Sequence, residues 1–146
     1  MIGLCRLVYY ASMQKLYLTE KVYVKPSHVE GAGRGVFAKH AIKKGESIEI
    51  CPIIEIPAGD VSAINESILL TYFFFHGKQK ENVWLALGFG SLYNHSYTPN
   101  ASYKVSLVDS TIEFIATGDI AADSEITFDY KAGNPKENNP LWFEVR

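Results

Sequence analysis

The segment richest in potential chemistry is residues 87–101, which reads LGFGSLYNHSYTPNA. It holds Gly88 and Gly90, an Asn-His-Ser triplet at residues 94–96 and a Pro-Asn turn at residues 99–100. Glycine allows positive φ and close backbone approach, proline presets a turn, and Asn or Ser side chains pair with backbone groups that a sharp bend leaves unpaired. We interpret this run as a bent, partly buried binding loop.

His95 could serve several chemistries within this loop. A histidine can ligate a metal, act as a general base, or pair with a partner in the core. No second His, Cys or carboxylate stands at metal-ligand spacing from it in the sequence, so no metal site is predicted. A ligand contact and a structural role in bracing the bend both stay open.

Two distant segments give the loop a specific context. They are residues 31–38, GAGRGVFA, and residues 125–130, EITFDY. Each motif alone is common, but in this order, and joined by the turn at residues 42–46, they resemble the SET domain of protein lysine methyltransferases. The resemblance covers residues 22–130, and the compact length resembles the minimal viral or bacterial members of that family.

The resemblance implies S-adenosylmethionine as cofactor, bound in a folded shape, with a target lysine entering a narrow channel from the opposite face. The residues that it assigns to the cofactor are Gly33, Arg34, Gly35, Asn94, His95 and, closing over the adenine from the C-terminal tail, Trp142 or Phe143. A simpler interpretation of the glycines is a tight turn between two strands.

The resemblance also implies that Tyr130 is catalytic and that Tyr72, Phe128 and Tyr130 line the lysine channel. Methyl transfer to an amine is an in-line displacement, so the site must supply alignment and electrostatic stabilisation, which a Tyr hydroxyl can give without losing its proton. Phe128 stands where the family chooses between Tyr and Phe, which implies a di- or trimethylated product. The alternatives are a strand-end Tyr130 with one buried hydrogen bond, a core Phe128, and Tyr72 in a core strand.

The target lysine poses a protonation problem. Its ordinary pKa of about 10.4 keeps it charged at neutral pH, and lowering that pKa by ~3 units corresponds to roughly 4 kcal/mol. Desolvation and a neighbouring positive sulfonium both lower it. A carboxylate base is therefore not required, and Asp129 is expected to be structural.

Composition narrows the class of protein. At 146 residues with a net charge of −2, the chain has no basic excess to indicate direct nucleic-acid binding, and a mildly acidic surface suits a basic peptide. No apolar run is long enough to span a membrane. Cys5 and Cys51 lack a pairing or zinc pattern, and Arg6 and Lys15 interrupt the apolar start, so we expect an intracellular protein that is not secreted.

The sequence predicts a mainly β fold with short helices. The resemblance implies the β-clip type, with several small sheets. The resemblance adds a C-terminal pseudoknot to this fold. Its domains would be an N-terminal extension of unknown role at residues 1–21, the SET domain at residues 22–130, and a closing tail at residues 131–146 that lacks the zinc cluster of many relatives. The extension could pair with a second copy, so a homodimer is possible.

Local patterns predict the individual elements. The predicted strands are residues 22–25, 35–38, 47–51 and 125–130, with a turn at 43–46, a short helix at 60–66, a hairpin of 102–108 and 111–116, and core positions at Ile53, Ile54 and Ile56.

The function that the resemblance implies is S-adenosylmethionine-dependent protein-lysine N-methylation of a histone-like or other intracellular protein, with a histone tail as a candidate substrate. One rival is a non-catalytic protein-interaction module with the same fold. Another is a small β fold of the sugar-binding type, suggested by residues 35–48 alone, which leaves the Asn-His-Ser and Phe-Asp-Tyr segments unexplained.

Overall fold

The computed structural model describes residues 15–76 and 82–130. In chain order its strands are β1 (Val22–Pro26), β2 (Arg34–Ala38), β3 (Ser47–Ile56), β4 (Phe73–His76), β5 (Asn82–Ala86), β6 (Asn94–His95), β7 (Ala101–Ser106), β8 (Thr111–Ala116) and β9 (Glu125–Phe128). The helices are α1 (Val61–Asn65) and short 3-10 turns at Ala58–Asp60, Ile68–Thr71 and Gly90–Leu92. This composition confirms the predicted mainly β class with short helices.

The first sheet has four strands in the order β1-β2-β9-β6. Strand β9, the last of the four along the chain, is antiparallel to β2 and parallel to β6, with Asn94 opposite Thr127 and His95 opposite Phe128. Strand β9, which precedes Tyr130, therefore lies between β2 and β6. Strand β2 begins in the glycine-rich segment at residues 31–35, called the glycine turn below. The resemblance implies a pseudoknot in which the C-terminal segment passes the Asn-His-Ser loop. Within the described part of the chain β9 pairs with β6 beside that loop, and residues 131–146 lie outside it.

The second sheet has five strands in the order β4-β5-β3-β8-β7. Strands β7 and β8 form the predicted hairpin, with Ser106 opposite Thr111 and Ser110 at a φ of 52° in the connecting turn. Along β8 and β9, alternate side chains point to opposite faces, so Ile126 and Phe128 enter the core while Glu125 and Thr127 do not.

The core lies between the two sheets and is rich in aromatic rings. Tyr93, Phe114 and Phe128 are at most 3% exposed, and the ring centroids of Tyr93 and Phe114 lie 4.4 Å apart. The ring centroids of Phe114 and Phe128 lie 5.5 Å apart. Tyr93 directly precedes β6 and Phe128 is the last residue of β9, so packing of their rings in the core anchors both strands.

Strand β3 is longer than predicted, because Pro52 does not end it. The strand pairs with β8 from Ser47 to Pro52 and with β5 from Ile53 to Ile56. Proline cannot donate to a ladder, and here its missing donor falls where β3 changes partner. The core prediction for Ile54 was wrong: Ile54 is 49% exposed, although Ile56, two residues on and on the same face of the strand, is buried. Burial on that face therefore changes along the length of β3.

The helical segments are short and peripheral. None of the residues in Ala58–Asp60, α1 or Ile68–Thr71 is buried. Across residues 15–76 and 82–130, the structure contains no helix with the length and apolar character to cross a bilayer.

Replacing Gly90 with alanine should destabilise the fold. A Cβ at Gly90 would lie 2.7 Å from the Ala86 Cβ and 2.8 Å from the Cys51 Sγ, and both neighbours are buried. We expect Gly90→Ala to lower the unfolding free energy by about 1–3 kcal/mol, as overpacking does. Gly118→Ala is the matched control, because a Cβ there meets open space. Equal urea midpoints for the two variants would contradict the packing account.

Candidate active site

Asn94 joins the glycine turn to strand β9. Its side-chain amide nitrogen lies 2.9 Å from the Arg34 carbonyl, 2.8 Å from the Glu125 carboxylate and 3.1 Å from the Ser27 hydroxyl, and its two hydrogens are shared among these three acceptors. The amide hydrogens are thus turned toward the protein, and the side-chain oxygen is the remaining acceptor. Asn94 therefore both fixes the turn and offers an acceptor beside it.

Glu125 completes this junction. Its carboxylate also accepts the Ser27 hydroxyl at 2.7 Å and the His28 backbone N–H at 2.7 Å. Gly35 passes so close that a Cβ would lie 2.1 Å from the Glu125 Oε1. Glycine is needed at this position of the turn because the carboxylate occupies the space of a side chain.

Gly33 shows the second use of glycine in the turn. Its φ is +73°, a region that L side chains rarely adopt, and a Cβ there would meet open space. The backbone of Gly33 is therefore uncovered on the side away from the protein.

His95 braces Tyr130 through the backbone. The imidazole is 4% exposed, and its Nδ1 accepts the Tyr130 backbone N–H at 3.1 Å. A backbone N–H can only donate, so this nitrogen carries no proton. The Asp129 carboxylate lies 3.7 Å from the same nitrogen. His95 therefore connects the Asn-His strand to the Tyr130 backbone, and its role in bracing the bend itself stays a prediction.

The Tyr130 hydroxyl donates to the Tyr93 carbonyl at 2.7 Å. Although 36% of the residue is exposed, burial of the ring, together with nearby Tyr72, raises the pKa of Tyr130 to about 12. The phenol therefore keeps its proton through the physiological range. It can donate or accept a hydrogen bond but is not a base.

Phe128 is both a core residue and a neighbour of Tyr130. It is 3% exposed, and its ring lies 4.9 Å from that of Tyr130 and 5.7 Å from that of Phe74. Tyr72 follows the Ile68–Thr71 turn and is close enough to influence the Tyr130 pKa. The structure thus brings together the three residues predicted for the lysine channel.

A groove of about 530 Å³ lies beside the Asn-His strand. It is lined by His28, Val29, Glu30, His95, Ser96, Tyr97, Thr98, Glu125 and Thr127. Residues 28–30, just before the glycine turn, therefore line the same open space as residues 96–98, just after His95.

The glycine turn, Asn94, His95 and Tyr130 thus meet at one place. The two remaining cofactor residues of the prediction, Trp142 and Phe143, lie outside the described residues.

Sequence reasoning missed the polar residues that hold these segments together. Asn100 donates to the Glu125 carbonyl at 2.8 Å and accepts the Thr127 N–H at 2.9 Å, so its side chain pairs with β9 as a neighbouring strand would. The Pro-Asn turn signalled a bend but not this long-range partner. Glu125 carried only the weak signal of a charged residue opening an apolar strand.

The comparisons with known proteins agree with this arrangement. The SET domain family model matches residues 33–131, which is more than half of the chain, and the chain belongs to the SET-domain family. It is 32% identical over 121 residues to the Schizosaccharomyces pombe "Histone-lysine N-methyltransferase, H3 lysine-37 specific", covering 79% of this chain and 73% of that protein.

Solved structures give the same fold. The crystal structure of a candidate histone methyltransferase of Plasmodium falciparum is 34% identical, with a TM-score of 0.59, covering 77% of this chain and 95% of that one. The Chaetomium thermophilum polycomb repressive complex 2 is 24% identical, with a TM-score of 0.64, covering 82% of this chain and 16% of that one. The latter likeness shows the fold alone.

Removing the Glu125 carboxylate should loosen the glycine turn. In Glu125→Ala, the Ser27 hydroxyl and His28 N–H lose their acceptor, and Asn94 loses one of three. We expect the unfolding free energy to fall by about 1–3 kcal/mol and the His28 amide to exchange faster with deuterium. Exposed Glu66→Ala is the control. Unchanged exchange at His28 would contradict the proposed junction.

Proposed function

We propose that this chain is an S-adenosylmethionine-dependent protein-lysine N-methyltransferase. The observation that carries the proposal is the meeting of the glycine turn, the Asn94 side chain and the neutral Tyr130 phenol around one strand junction. Membership of the SET family and the 32% identity to a histone-lysine N-methyltransferase support it.

The residues at the junction fit the chemical groups of the cofactor. The cofactor has an ammonium and a carboxylate at one end and an adenosine at the other. The Asn94 side-chain oxygen can accept from the ammonium, since its amide hydrogens already bind the protein. The open space at Gly33 suits the methionine end, and the groove beside His95 has room for the adenosine. Trp142 or Phe143 would close over the adenine.

When bound, the cofactor supplies an electrophilic methyl group on a sulfonium. The lysine nitrogen needs its lone pair to attack, so its proton must leave to water before transfer. Desolvation in the channel of Tyr72, Phe128 and Tyr130 lowers its pKa, as the chemistry requires. The Tyr130 phenol, with its pKa raised to about 12, stays neutral and acts by alignment and hydrogen bonding.

The product and the substrate form the finer part of the proposal. The absence of a hydroxyl at Phe128 leaves room for a partly methylated amine to rotate, which favours di- or trimethyllysine. The substrate is a lysine-containing protein, and a basic histone-like tail suits the net charge of −2. Such a substrate places the protein inside the cell, in cytoplasm or nucleus.

The remaining assignments concern the ends of the chain and its assembly. We assign residues 22–130 to the SET domain, residues 131–146 to the closing tail, and residues 1–21 to an extension through which a second copy could bind. Direct binding to nucleic acid is not part of the proposed function.

Tyr130→Phe tests the enzymatic role. Loss of the hydroxyl should lower kcat by about 10²–10³-fold, the range seen when one stabilising donor is removed, while the affinity for the cofactor, measured by calorimetry, is retained. The assay is transfer of a radiolabelled methyl group to a histone mixture. Tyr17→Phe is the control, because Tyr17 is 79% exposed and does not line the groove. An active wild type with an equally active Tyr130→Phe would contradict the assignment, and an inactive wild type that binds histone would favour the interaction module.

Phe128→Tyr tests the predicted product. A hydroxyl added beside Tyr130 should hold a water that crowds the methylated amine, so mass spectrometry of the peptide product should shift from di- and trimethyllysine toward monomethyllysine. Because Phe128 is 3% exposed, folding must be checked by thermal melting. An unchanged product distribution in a folded variant would refute this role.

A further inference from the structure

Glu49 is a buried acid that lies beneath the bent loop. It is 7% exposed in strand β3, where its Oε1 accepts the Phe89 backbone N–H at 3.0 Å and its Oε2 accepts the Tyr93 hydroxyl at 3.0 Å. Burial raises its pKa. Burying a carboxylate costs free energy unless its hydrogen bonds are satisfied, so a purely apolar core would be the simpler choice at this position.

The bend is shaped around this carboxylate. Gly88 has a φ of +65°, and a Cβ there would lie 2.5 Å from the Glu49 Oε1. The next residue, Phe89, donates its N–H to the same oxygen. The backbone conformation of the Gly-Phe-Gly segment therefore depends on its contacts with Glu49 as well as on the φ values that glycine permits.

Tyr93 connects Glu49 to Tyr130. The Tyr93 side chain is 1% exposed, with its hydroxyl on Glu49, while its backbone carbonyl accepts the Tyr130 hydroxyl at 2.7 Å. One residue therefore binds the buried acid at one end and the phenol of the site at the other. Asn94, the next residue, begins strand β6.

We propose that Glu49 is a positioning residue for methyl transfer, which fixes the Tyr93 carbonyl and thereby the Tyr130 hydroxyl. This inference rests on the proposed function. It assigns Glu49 no contact with substrate or cofactor. Its effect should appear in the rate of transfer and not in ligand affinity, because it acts only on the placement of the hydroxyl.

Tyr93→Phe breaks the connection with a minimal change of shape. We expect kcat to fall about fivefold to tenfold, comparable to one hydrogen bond, with KM for the peptide and the cofactor unchanged. Glu49→Leu should give a similar fall, and Glu49→Gln should recover most of it, because an amide can accept from Phe89 and donate to the Tyr93 oxygen.

Two variants control for unrelated losses of hydroxyl and carboxylate. Tyr23→Phe removes a hydroxyl that binds Asp123, and Glu55→Leu removes an exposed carboxylate from the same strand as Glu49. Both should transfer methyl groups at the wild-type rate. All variants are assayed well below their melting temperatures.

A double-mutant cycle separates positioning from mere stability. In the Tyr130→Phe background there is no hydroxyl to place, so adding Tyr93→Phe should leave the residual rate unchanged to within about twofold. A further fall in that background, or unchanged kcat in Tyr93→Phe itself, would overturn the inference while leaving the proposed function intact. A wild type that transfers no methyl group would overturn the proposed function first.

Discussion

The parallel pairing of residues 94–95 with residues 127–128 is the constraint on which the rest of the structure depends. Parallel neighbours need a crossover connection, and here the hairpin of β7 and β8 in the second sheet lies between them along the chain. The two sheets are therefore tied together at the junction that carries the site. Asn94 reaches from it to the glycine turn, and His95 reaches from it to Tyr130.

A two-residue strand makes only a short ladder, and the residues that follow it add both side-chain and backbone hydrogen bonds to β9. Asn100 pairs with the backbone of β9 at two atoms, and the Ser96 N–H donates to the Phe128 carbonyl at 3.2 Å. Each such bond contributes about 0.5–1.5 kcal/mol net, but a buried partner left alone costs more. Removing one of these polar groups would therefore leave another without a partner, so their contributions to stability depend on one another.

Much of the arrangement could be predicted from local pattern and family resemblance. Short apolar segments bounded by turn residues located β1, β2 and the β7–β8 hairpin within a residue or two at each end. The motifs at residues 33–35, 94–95 and 130 indicated one site, and the structure brings them together. The roles of these residues in binding and catalysis remain predictions.

What the sequence could not predict are contacts between residues far apart in the chain. Glu125 and Ser27 are 98 positions apart, and Glu49 and Tyr93 are 44 apart, so no local pattern links them. Ile54 was misjudged because apolar character does not say which positions along a strand are covered. The predicted strand at residues 47–51 stopped before Pro52, because the change of partner along β3 has no sequence signal.

The most direct test of the account is an NMR titration of the isotopically labelled chain with S-adenosylhomocysteine, the demethylated form of the cofactor. The account predicts that the amide resonances that shift most are those of Gly33, Arg34, Gly35, His95 and Tyr130, all saturating with one affinity. Shifts confined to the far hairpin turn at residues 107–110, or no shifts at all, would contradict the claim that the turn, the loop and the tyrosine form one cofactor site.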